Sequence, residues 1–568
     1  MVISFHFCTF DYSNLPMKIK FLIPLLLVFN FASAQFSQDT TLNSVIHDLS
    51  GSEQSVPLTA TTTDGRTYVS WFDLSSGQYV LRMQLLDING NEQWGQGGLV
   101  VSSYPQSSAL FRYDLKVDQD DNAIVAFQDE RTSTLQVVIY KLSAAGVSIW
   151  GNGIVLQDST SSGLSPKIAV TSANDVVVSW NASLGNNKWV AYAKISSTGT
   201  LQWVKRIWNN QKFSRPVMIP SVNTGFTMLY VQETGNFPGV TCIMYAQQFD
   251  SSGIGIWGAP VQVSASAISF FFFPEIISDQ QGGFYIAFNT GNPSNPMMND
   301  VYAQHVDVNG NRWSLTGTRC SNSNTEQKLV GGFTTNGSGT ELFVALQVLD
   351  QSQTNSGISL QKLDGAGVVQ LGTGALNLRP ISASYFLPVG IADDGAGLII
   401  PYVIGSFGNQ LLKALRVDYS GAVLWGYDPT ISAVLSNKED VSTGPFRNGQ
   451  MILVWQDDRL DAGIYTQNIF PNGGFGPFVG LTESSLVLQP VIFPNPSSSP
   501  KLKVLADNHS ACVLKITDLS GHLVYNQDAK LIPGENLIRL PFYLASGQYF
   551  LSVLYENGEI WNGRWINP

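Results

Sequence analysis

The sequence predicts an all-β protein: a β-propeller of eight four-stranded repeats, followed by a small C-terminal β-sandwich. The first observation behind this prediction is a phrase ending in tryptophan that recurs about every 55 residues. The second is the composition, which is 11% aromatic, rich in glycine and only 13% charged. Such a composition suits short strands and tight turns rather than charged amphipathic helices. The third is the length of 568 residues, which predicts more than one domain.

Each repeat carries the same local pattern. An alternating strand is followed by Asp-x-x-Gly or a variant, three further residues and Trp-Gly, as in LLDINGNEQWG, which ends at Gly95. The eight anchor positions of this pattern are Trp94, Trp150, Trp203, Trp257, Trp313, Leu371, Trp425 and Phe478. The sixth and eighth copies are degenerate, and a miscount of these copies would leave seven repeats.

Each repeat has room for four strands, which is the content of one propeller blade. The second strand is apolar and often ends in an aromatic residue, as at Trp71, Phe127 and Trp180. The Asp-x-x-Gly turn then joins the third and fourth strands, and its glycine supplies the positive φ that the hairpin needs. Closing such sheets into a ring removes exposed edges, and the large anchors are expected to fill the space between blades. Residues 42–50 are expected to close the ring by pairing with the last blade.

Two other architectures are compatible with a β-repeat. One is an elongated solenoid, whose coils are usually shorter than this repeat. The other is a string of sandwich domains, each of which needs more residues than one repeat provides. The repeat length therefore favours the propeller.

The N-terminus resembles a secretory leader. The segment Lys18–Phe31 contains a basic pair and an apolar run, and the small residues Ala32–Ala34 follow it. This order is typical of a cleaved signal peptide, and the run is too short to cross a bilayer comfortably. Residues 1–34 are therefore predicted to be a leader, with Met17 as the true start and 17–34 as the signal peptide. The sequence predicts no other transmembrane segment and a secreted or outer-membrane-surface location.

Composition also excludes several function classes. The chain has 31 Lys+Arg against 42 Asp+Glu and a net charge of -11, without basic runs, so nucleic acid is not an expected partner. The histidines lie far apart and no nucleotide-binding or metal motif appears in a suitable context, so no cofactor, no metal and no catalytic constellation are predicted. Cys242, Cys320 and Cys512 are expected to be buried thiols, with a Cys242–Cys320 disulfide as the alternative.

A candidate ligand site is predicted on the rim that carries the variable loops, where propellers usually bind ligands. Two of these loops contain nearly identical phrases, QDER at 128–131 and QDDR at 456–459. In an eight-bladed ring they would lie one blade apart, with Asp73 between them. Aromatic rings beside such charges could stack on a sugar while the charged groups bond its hydroxyls. The predicted ligand contacts are Trp71, Asp73, Asp129, Arg131, Trp455, Asp457 and Arg459.

Two other interpretations of these residues remain open. Each Asp-x-Arg unit could cap its own loop with a local ion pair. Alternatively, paired carboxylates could act as acid and base in glycoside cleavage.

A change in composition after the eighth repeat marks a second domain. The propeller is predicted to occupy residues 35–485, and the domain at 486–568 begins with a Pro- and Ser-rich stretch that interrupts strand pairing. Six strands are predicted in it: 501–506, 512–518, 522–526, 536–540, 548–555 and 560–566. These strands would form the small β-sandwich.

Four segments of this domain, in order, resemble the C-terminal sorting domain of the type IX secretion system. They are FPNP at 493–496, KITDLSGHLVY at 515–525, PGENLIRLP at 533–541 and LASGQYFLSVLYENG at 544–558. The residues that carry the resemblance are Pro494, Asn495, Pro496, Asp518, Gly521, Gly534, Gly547 and Tyr549. The ending GRWINP differs from the more basic ending of many members.

The resemblance implies a partner and an export route. In that family the domain guides a Sec-exported protein across the outer membrane through the type IX machinery, and it is usually removed afterwards. The repeats also look like those of β-propellers in other cargo of this system. We therefore expect a secreted or cell-surface propeller that acts as a non-catalytic binding or adhesion module for a glycan or a surface protein. The alternative is a carbohydrate-active enzyme, a glycoside hydrolase or lyase.

Overall fold

The structure is a computed structural model that describes residues 35–49, 51–74, 77–106, 112–131, 134–158, 161–222, 224–295, 298–477, 490–506, 510–541, 543–555 and 560–568. The predicted leader, residues 1–34, and the predicted eighth anchor, Phe478, lie outside these residues. The described residues form forty β-strands. Among the described residues there is no helix with the length and apolar character needed to cross a membrane. The chain divides into two compact units, residues 1–477 and 478–568.

The first unit is an eight-bladed β-propeller in its described residues, as the repeat predicts. Strand β1 (Ser44–His47) precedes the blades. The first four blades, each with its strands in spatial order, are β2–β5 (Gln54–Thr61, Thr67–Asp73, Tyr79–Leu86, Leu99–Gln106), β6–β9 (Asp114–Val117, Ala123–Asp129, Gln136–Leu142, Ile154–Leu156), β10–β13 (Ser162–Val170, Val176–Leu184, Asn187–Ile195, Leu201–Ile207) and β14–β17 (Lys212–Pro220, Phe226–Thr234, Thr241–Phe249, Val261–Gln262).

The last four blades follow the same antiparallel order. They are β18–β21 (Ile277–Ser278, Phe284–Gly291, Asn299–Val306, Thr318–Arg319), β22–β25 (Gln327–Thr335, Leu342–Leu349, Ser356–Leu363, Leu376–Ser382), β26–β30 (Phe386–Pro388, Ala392–Asp393, Leu398–Ser406, Asn409–Val417, Thr430–Ser436) and β31–β33 (Lys438–Thr443, Met451–Asp457, Gly463–Ile469). In the seventh blade, β26 and β27 both pair with β28, so its first strand is interrupted.

The N-terminal segment closes the ring. Strand β1 pairs antiparallel with β33, with Ser44 opposite Thr466, and so becomes the fourth strand of the eighth blade. The expected pairing of residues 42–50 with the last blade is confirmed for the segment Ser44–His47.

In the described residues of the first unit, the core consists of eight buried clusters, one between each pair of neighbouring blades. In β3, Val69 and Trp71 pack toward the eighth blade, while Tyr68 and Phe72 pack toward the second. Successive strand residues point to opposite faces of a sheet. A strand that lies between two neighbours is therefore apolar along its whole length, which explains runs such as TYVSWF.

The anchor residues lock each blade onto the next. The indole Nε1 of Trp94 donates a hydrogen bond to the Ala144 carbonyl, in the Asp-x-x-Gly-like turn of the following blade, at 2.8 Å. In the next pair, a Cβ on Gly199 would lie 2.6 Å from the Trp150 ring. Gly199 also has a φ of +89°, so both its conformation and its lack of a side chain are required there.

Residues before the first blade supply the eighth anchor contact. The Phe36 ring is buried and lies where a Cβ on Gly90, in the first blade's turn, would approach it to 2.7 Å. Phe36 thus packs against the first blade's turn as Trp150 packs against the turn of the third.

The second unit is a β-sandwich, as predicted. One sheet has the order β34-β35-β38 and the other β37-β36-β39-β40. Their strands are β34 (Val491–Phe493), β35 (Lys501–Ala506), β36 (Ser510–Thr517), β37 (Leu523–Leu531), β38 (Gly534–Arg539), β39 (Gly547–Tyr555) and β40 (Ile560–Asn567). All six predicted strands are present within a few residues of their predicted ends, and β34 is an additional one.

The three cysteines of the described residues, Cys242, Cys320 and Cys512, are buried free thiols. The structure therefore has the unpaired arrangement rather than the Cys242–Cys320 disulfide.

Candidate functional site

A channel runs between the first strands of the eight blades. It contains two connected cavities of about 570 and 310 Å³ that share Glu275, Ile277 and Thr443. The larger is lined by the first, second, third, fourth, fifth and eighth blades, and the smaller by the fifth to the eighth. Side chains from every blade therefore meet at one axis.

The opening on the loop-rich rim, which we call the channel mouth, is marked by a repeated backbone distortion. The first strands of four blades contain a bulge whose central residue has a positive φ: Val56 (+53°), Ser165 (+51°), Arg215 (+53°) and Asp440 (+45°). This conformation is unfavourable for non-glycine residues, especially for a β-branched valine. Bulges and backbone strain concentrate beside functional sites, where they redirect side chains. Their recurrence around one opening makes the channel mouth the leading candidate site.

A group of phenylalanines, which we call the phenylalanine cluster, lies at this mouth. It comprises Phe270–Phe273, in the connection from the fourth to the fifth blade, and Phe237, in the loop after β15. The Phe237 ring lies 5.7 Å from that of Phe270 and 6.4 Å from that of Phe271, between ring centroids. The exposed fractions of Phe237, Phe271 and Phe273 are 65%, 73% and 41%. Clustered exposed aromatic rings are unusual on a protein surface and indicate a binding site.

Arg215 holds this cluster in place from below. Its buried guanidinium donates hydrogen bonds to the carbonyls of Phe270 (2.7 Å) and Phe272 (3.0 Å). The same side chain lies 3.5 Å from Glu233, which compensates its charge. The connection that carries the phenylalanines is therefore fixed to the fourth blade, and the rings are positioned before any ligand arrives.

Charged groups surround the cluster. The exposed Arg112 stacks over the Phe273 ring at 4.2 Å from its centroid. Arg112, Ser165, Lys167, Asn181 and Glu275 line a notch beside Phe273, and Glu275 extends from this notch into both channel cavities. The site therefore offers aromatic faces and hydrogen-bonding groups on one wall, which is the chemistry that recognises a sugar or a polar peptide.

Two acid–base features belong to the same mouth. Loss of part of the surrounding water raises the pKa of the Asp440 carboxyl, while the charge of Arg112 opposes the rise. Farther in, the Asp114 carboxylate, 3.4 Å away, raises the pKa of Lys116, and Glu275 contributes in the same direction. The mouth thus carries a carboxyl whose pKa is raised, and the channel carries an amine whose pKa is raised.

The residues predicted from sequence to contact a ligand lie inside the blades. The indoles of Trp71 and Trp455 are fully buried, in the cores on either side of the eighth blade. Asp73 accepts a hydrogen bond from Arg82 at 2.6 Å. Asp129 accepts one from Arg131, also at 2.6 Å. The aspartates therefore pair with cations of their own blades, and for Asp129–Arg131 this is the loop-capping arrangement that the sequence left open.

Asp457 and Arg459 help to close the ring. Arg459 bonds Asp457 at 2.7 Å and also donates to the Leu42 carbonyl and to Asn43 Oδ1, just before β1. Burial alone would raise the pKa of the Asp457 carboxyl, but the bond from Arg459 and the charge of Lys438 hold it below its ordinary value. The ligand role assigned to these seven residues stays a prediction, and their observed contacts are structural.

The residues that resemble a sorting signal form turns and strand contacts in the second unit. Asn495, between Pro494 and Pro496, bonds the main chain of Arg564 and Ile566 in the final strand. Asp518 accepts hydrogen bonds from the main chain of Ser520 and His522, which shapes the turn at Gly521. The remaining positions are Gly534 and Gly547, which begin β38 and β39, and Tyr549, which bonds the Ala545 carbonyl at 2.8 Å.

The phenylalanine cluster and Arg112 are the functional candidates that the sequence did not indicate. In the sequence, the run Phe270–Phe273 resembles the start of an apolar strand, which would be buried. Its position between two repeats, where a blade has no core to fill, was the one available indication.

Comparison with known proteins shows limited similarity. No protein-family model matches the chain, and no curated protein matches it. A solved protein of unknown function from Dyadobacter fermentans is similar over 55% of this chain and 95% of its own, at 8% identity and a TM-score of 0.35. An ulvan lyase shares 11% identity over 76% of this chain and 96% of its own, with a TM-score of 0.39.

An α-L-arabinanase from Penicillium chrysogenum, in complex with arabinobiose, shares 12% identity over 57% of this chain and 98% of its own, with a TM-score of 0.35. Identities and scores this low carry no inference about ligand or activity. The assignment as a propeller depends on the eight sheets of the chain itself.

Proposed function

We propose that the propeller is a non-catalytic binding module that holds an extracellular glycan at its channel mouth. The observation that carries this proposal is the exposed phenylalanine cluster, fixed by Arg215 beside a notch of polar side chains. Sugar rings present apolar C–H faces and hydroxyl edges, so they match flat aromatic surfaces next to hydrogen-bonding groups. A surface protein is the other candidate partner, because it too could bury exposed aromatic rings.

The test is the loss of binding when the rings are removed. Phe271→Ala and Phe237→Ala are expected to weaken binding to a panel of immobilised polysaccharides by about tenfold or more, since each buried ring contributes roughly 1.5–3 kcal/mol. Phe407→Ala is the matched control, because Phe407 is also an exposed phenylalanine in a turn after a second strand, but on the seventh blade. Equal binding by the wild type and both cluster variants would contradict the proposal.

A carbohydrate-active enzyme is the second candidate, and Asp440 is the observation that favours it. A carboxyl with a raised pKa at a channel mouth is suited to donate a proton to a leaving oxygen. Turnover can be measured in the same samples as release of reducing or unsaturated sugar ends. Release that Asp440→Asn abolishes while binding persists would establish the enzyme and exclude the non-catalytic module.

We also propose that the second unit is an export signal read by type IX secretion machinery. The support is the ordered set of sorting-domain segments in a separate sandwich. In a bacterium that has this machinery, deletion of residues 486–568 is expected to leave the propeller in the periplasm. The same residues, fused to a periplasmic reporter, are expected to carry it to the cell surface or medium. Release of the truncated propeller at wild-type levels would rule out this role.

A further inference from the structure

We propose that the ligand at the channel mouth is an acidic glycan, whose carboxylate or sulfate group binds Arg112 and Lys167. This inference rests on the proposed glycan-binding function and adds the chemical class of the sugar.

The first argument is the pairing of charges in the propeller. Cations elsewhere typically lie against a carboxylate, as Arg319 does against Asp300 at 2.5 Å and Lys194 against Asp175 at 2.9 Å. Arg112 and Lys167 form no ion pair with a carboxylate among the described residues. Two cations without a salt bridge among the described residues therefore share one notch in a protein whose net charge is -11, and Asp440 attracts Arg112 only at longer range. A ligand anion would supply the missing partner.

The second argument is the orientation of Arg112. Its guanidinium carbon lies 4.2 Å from the Phe273 ring centroid, so the ring holds the cation while no hydrogen bond among the described residues uses its N–H groups. A guanidinium edge matches the two oxygens of a carboxylate or a sulfate, and it can donate two parallel hydrogen bonds to them. A sugar that lies on the neighbouring Phe271 would bring a charged substituent toward this edge.

The other groups of the notch fit an anion as well. The Asn181 side-chain oxygen accepts a hydrogen bond from the Arg215 main chain at 2.6 Å, so its amide N–H groups are left to face a ligand. Arg215 itself is compensated by Glu233. Glu275 is the one carboxylate that lines the notch, and Lys116 lies close enough to share its charge. Glu275 and the nearby Asp440 offset part of this charge, while Arg112 and Lys167 remain the N–H donors of the notch that form no salt bridge among the described residues.

The experiment compares three polymers: polygalacturonate with carboxylates, dextran sulfate with sulfates, and neutral dextran. Wild-type protein is expected to bind at least one acidic polymer about tenfold more tightly than dextran, in a salt-dependent way. Arg112→Gln and Lys167→Gln are each expected to reduce that preference severalfold, and the double variant to abolish it. The acidic polymer that is preferred identifies a carboxylate or a sulfate as the bound group.

Matched controls remove equivalent charges elsewhere. Arg206→Gln removes an exposed guanidinium on β13, the outer strand of the third blade, where it lies over the Trp189 ring. Lys413→Gln removes a lysine from β29. Neither is expected to change the preference.

Two results would overturn the inference, and they are distinguishable from each other. If all three polymers bind equally, Arg112→Gln has no effect and Phe271→Ala abolishes binding, then the glycan site stands and its acidic selectivity is wrong. If no polymer binds to the wild-type protein, then both the inference and the proposed glycan-binding function fail.

Discussion

Most charged side chains that are buried between the blades of this propeller have a charged partner. Glu92 is an exception, because it lies between the Asp-x-x-Gly turn and the Trp94 anchor of the first blade and forms no ion pair in the part of the chain that the structure describes. Burial raises the pKa of its carboxyl to about 7, although a hydrogen bond from the Gly97 N–H opposes the rise. The folded protein therefore favours the protonated form, and ionisation of Glu92 works against folding.

This predicts a stability change that depends on pH. The free energy of unfolding is expected to fall as the pH rises from the ordinary glutamate pKa toward 7, because the unfolded chain releases the proton first. Glu92→Gln should therefore stabilise the protein at pH 8 by about 1 kcal/mol, a value discounted for the partial exposure of the side chain, and have almost no effect at pH 4. Urea unfolding at the two pH values measures the difference.

Glu130→Gln is the control for Glu92→Gln, since it removes an exposed carboxylate and changes the net charge equally. An equal shift of the unfolding midpoint by both variants at pH 8 would show that net charge, and not the local burial of Glu92, is responsible.

At the scale of the strand and the turn, each blade can be predicted from the sequence because every blade repeats the same strand burial and the same contact between an anchor and a turn. The second strand of each blade is buried on both faces. Apolar runs that end in an aromatic residue therefore recur along the sequence, as at Trp180 and Trp455. Every anchor among the described residues meets a turn whose glycine leaves room for it, as Trp150 meets Gly199. Repetition makes these contacts visible in the sequence, even where one copy is degenerate, as at Leu371.

Contacts that occur once per ring have no such repetition. Phe36 supplies the eighth anchor contact from the residues before the first blade, and no repeat in the sequence indicates this contact. Large apolar residues are usually buried, but the sequence pattern does not separate rings inside the core from exposed rings, so it predicts Trp71 as a ligand contact and does not single out Phe270–Phe273. Only the fold shows that the first lies between blades while the others lie on a connection outside them. The ligand contacts predicted from the sequence and the phenylalanine cluster are therefore different residues on the same rim, and ligand binding there stays a prediction.

For the propeller as a whole, closure depends on a short segment that begins at the predicted cleavage site. Phe36 donates its main-chain N–H to the Asn89 carbonyl at 2.8 Å, and its ring joins Trp71 and Ile46 in the core between the eighth and first blades. Cleavage after Ala34 would leave this segment intact, with Gln35 as its first residue. The first and the eighth blade are thus joined by non-covalent contacts of residues 36–47.

The last prediction tests whether these contacts stabilise the complete ring. Phe36→Ala removes a fully buried ring from a core that cannot collapse around the space, so it is expected to lower the free energy of unfolding by about 3–5 kcal/mol. Leu42→Ala is the matched control, because Leu42 belongs to the same segment but is 63% exposed, and its loss should cost less than about 0.5 kcal/mol. Thermal and urea unfolding followed by tryptophan fluorescence compares the two variants. If the interface between the eighth and first blades opens, the cores on both sides of it become exposed. Phe36→Ala should therefore lower the midpoint of the main unfolding transition of the propeller and not produce a separate transition at lower temperature or urea concentration. Coincident unfolding curves for the two variants would show that the ring holds its shape without the N-terminal segment.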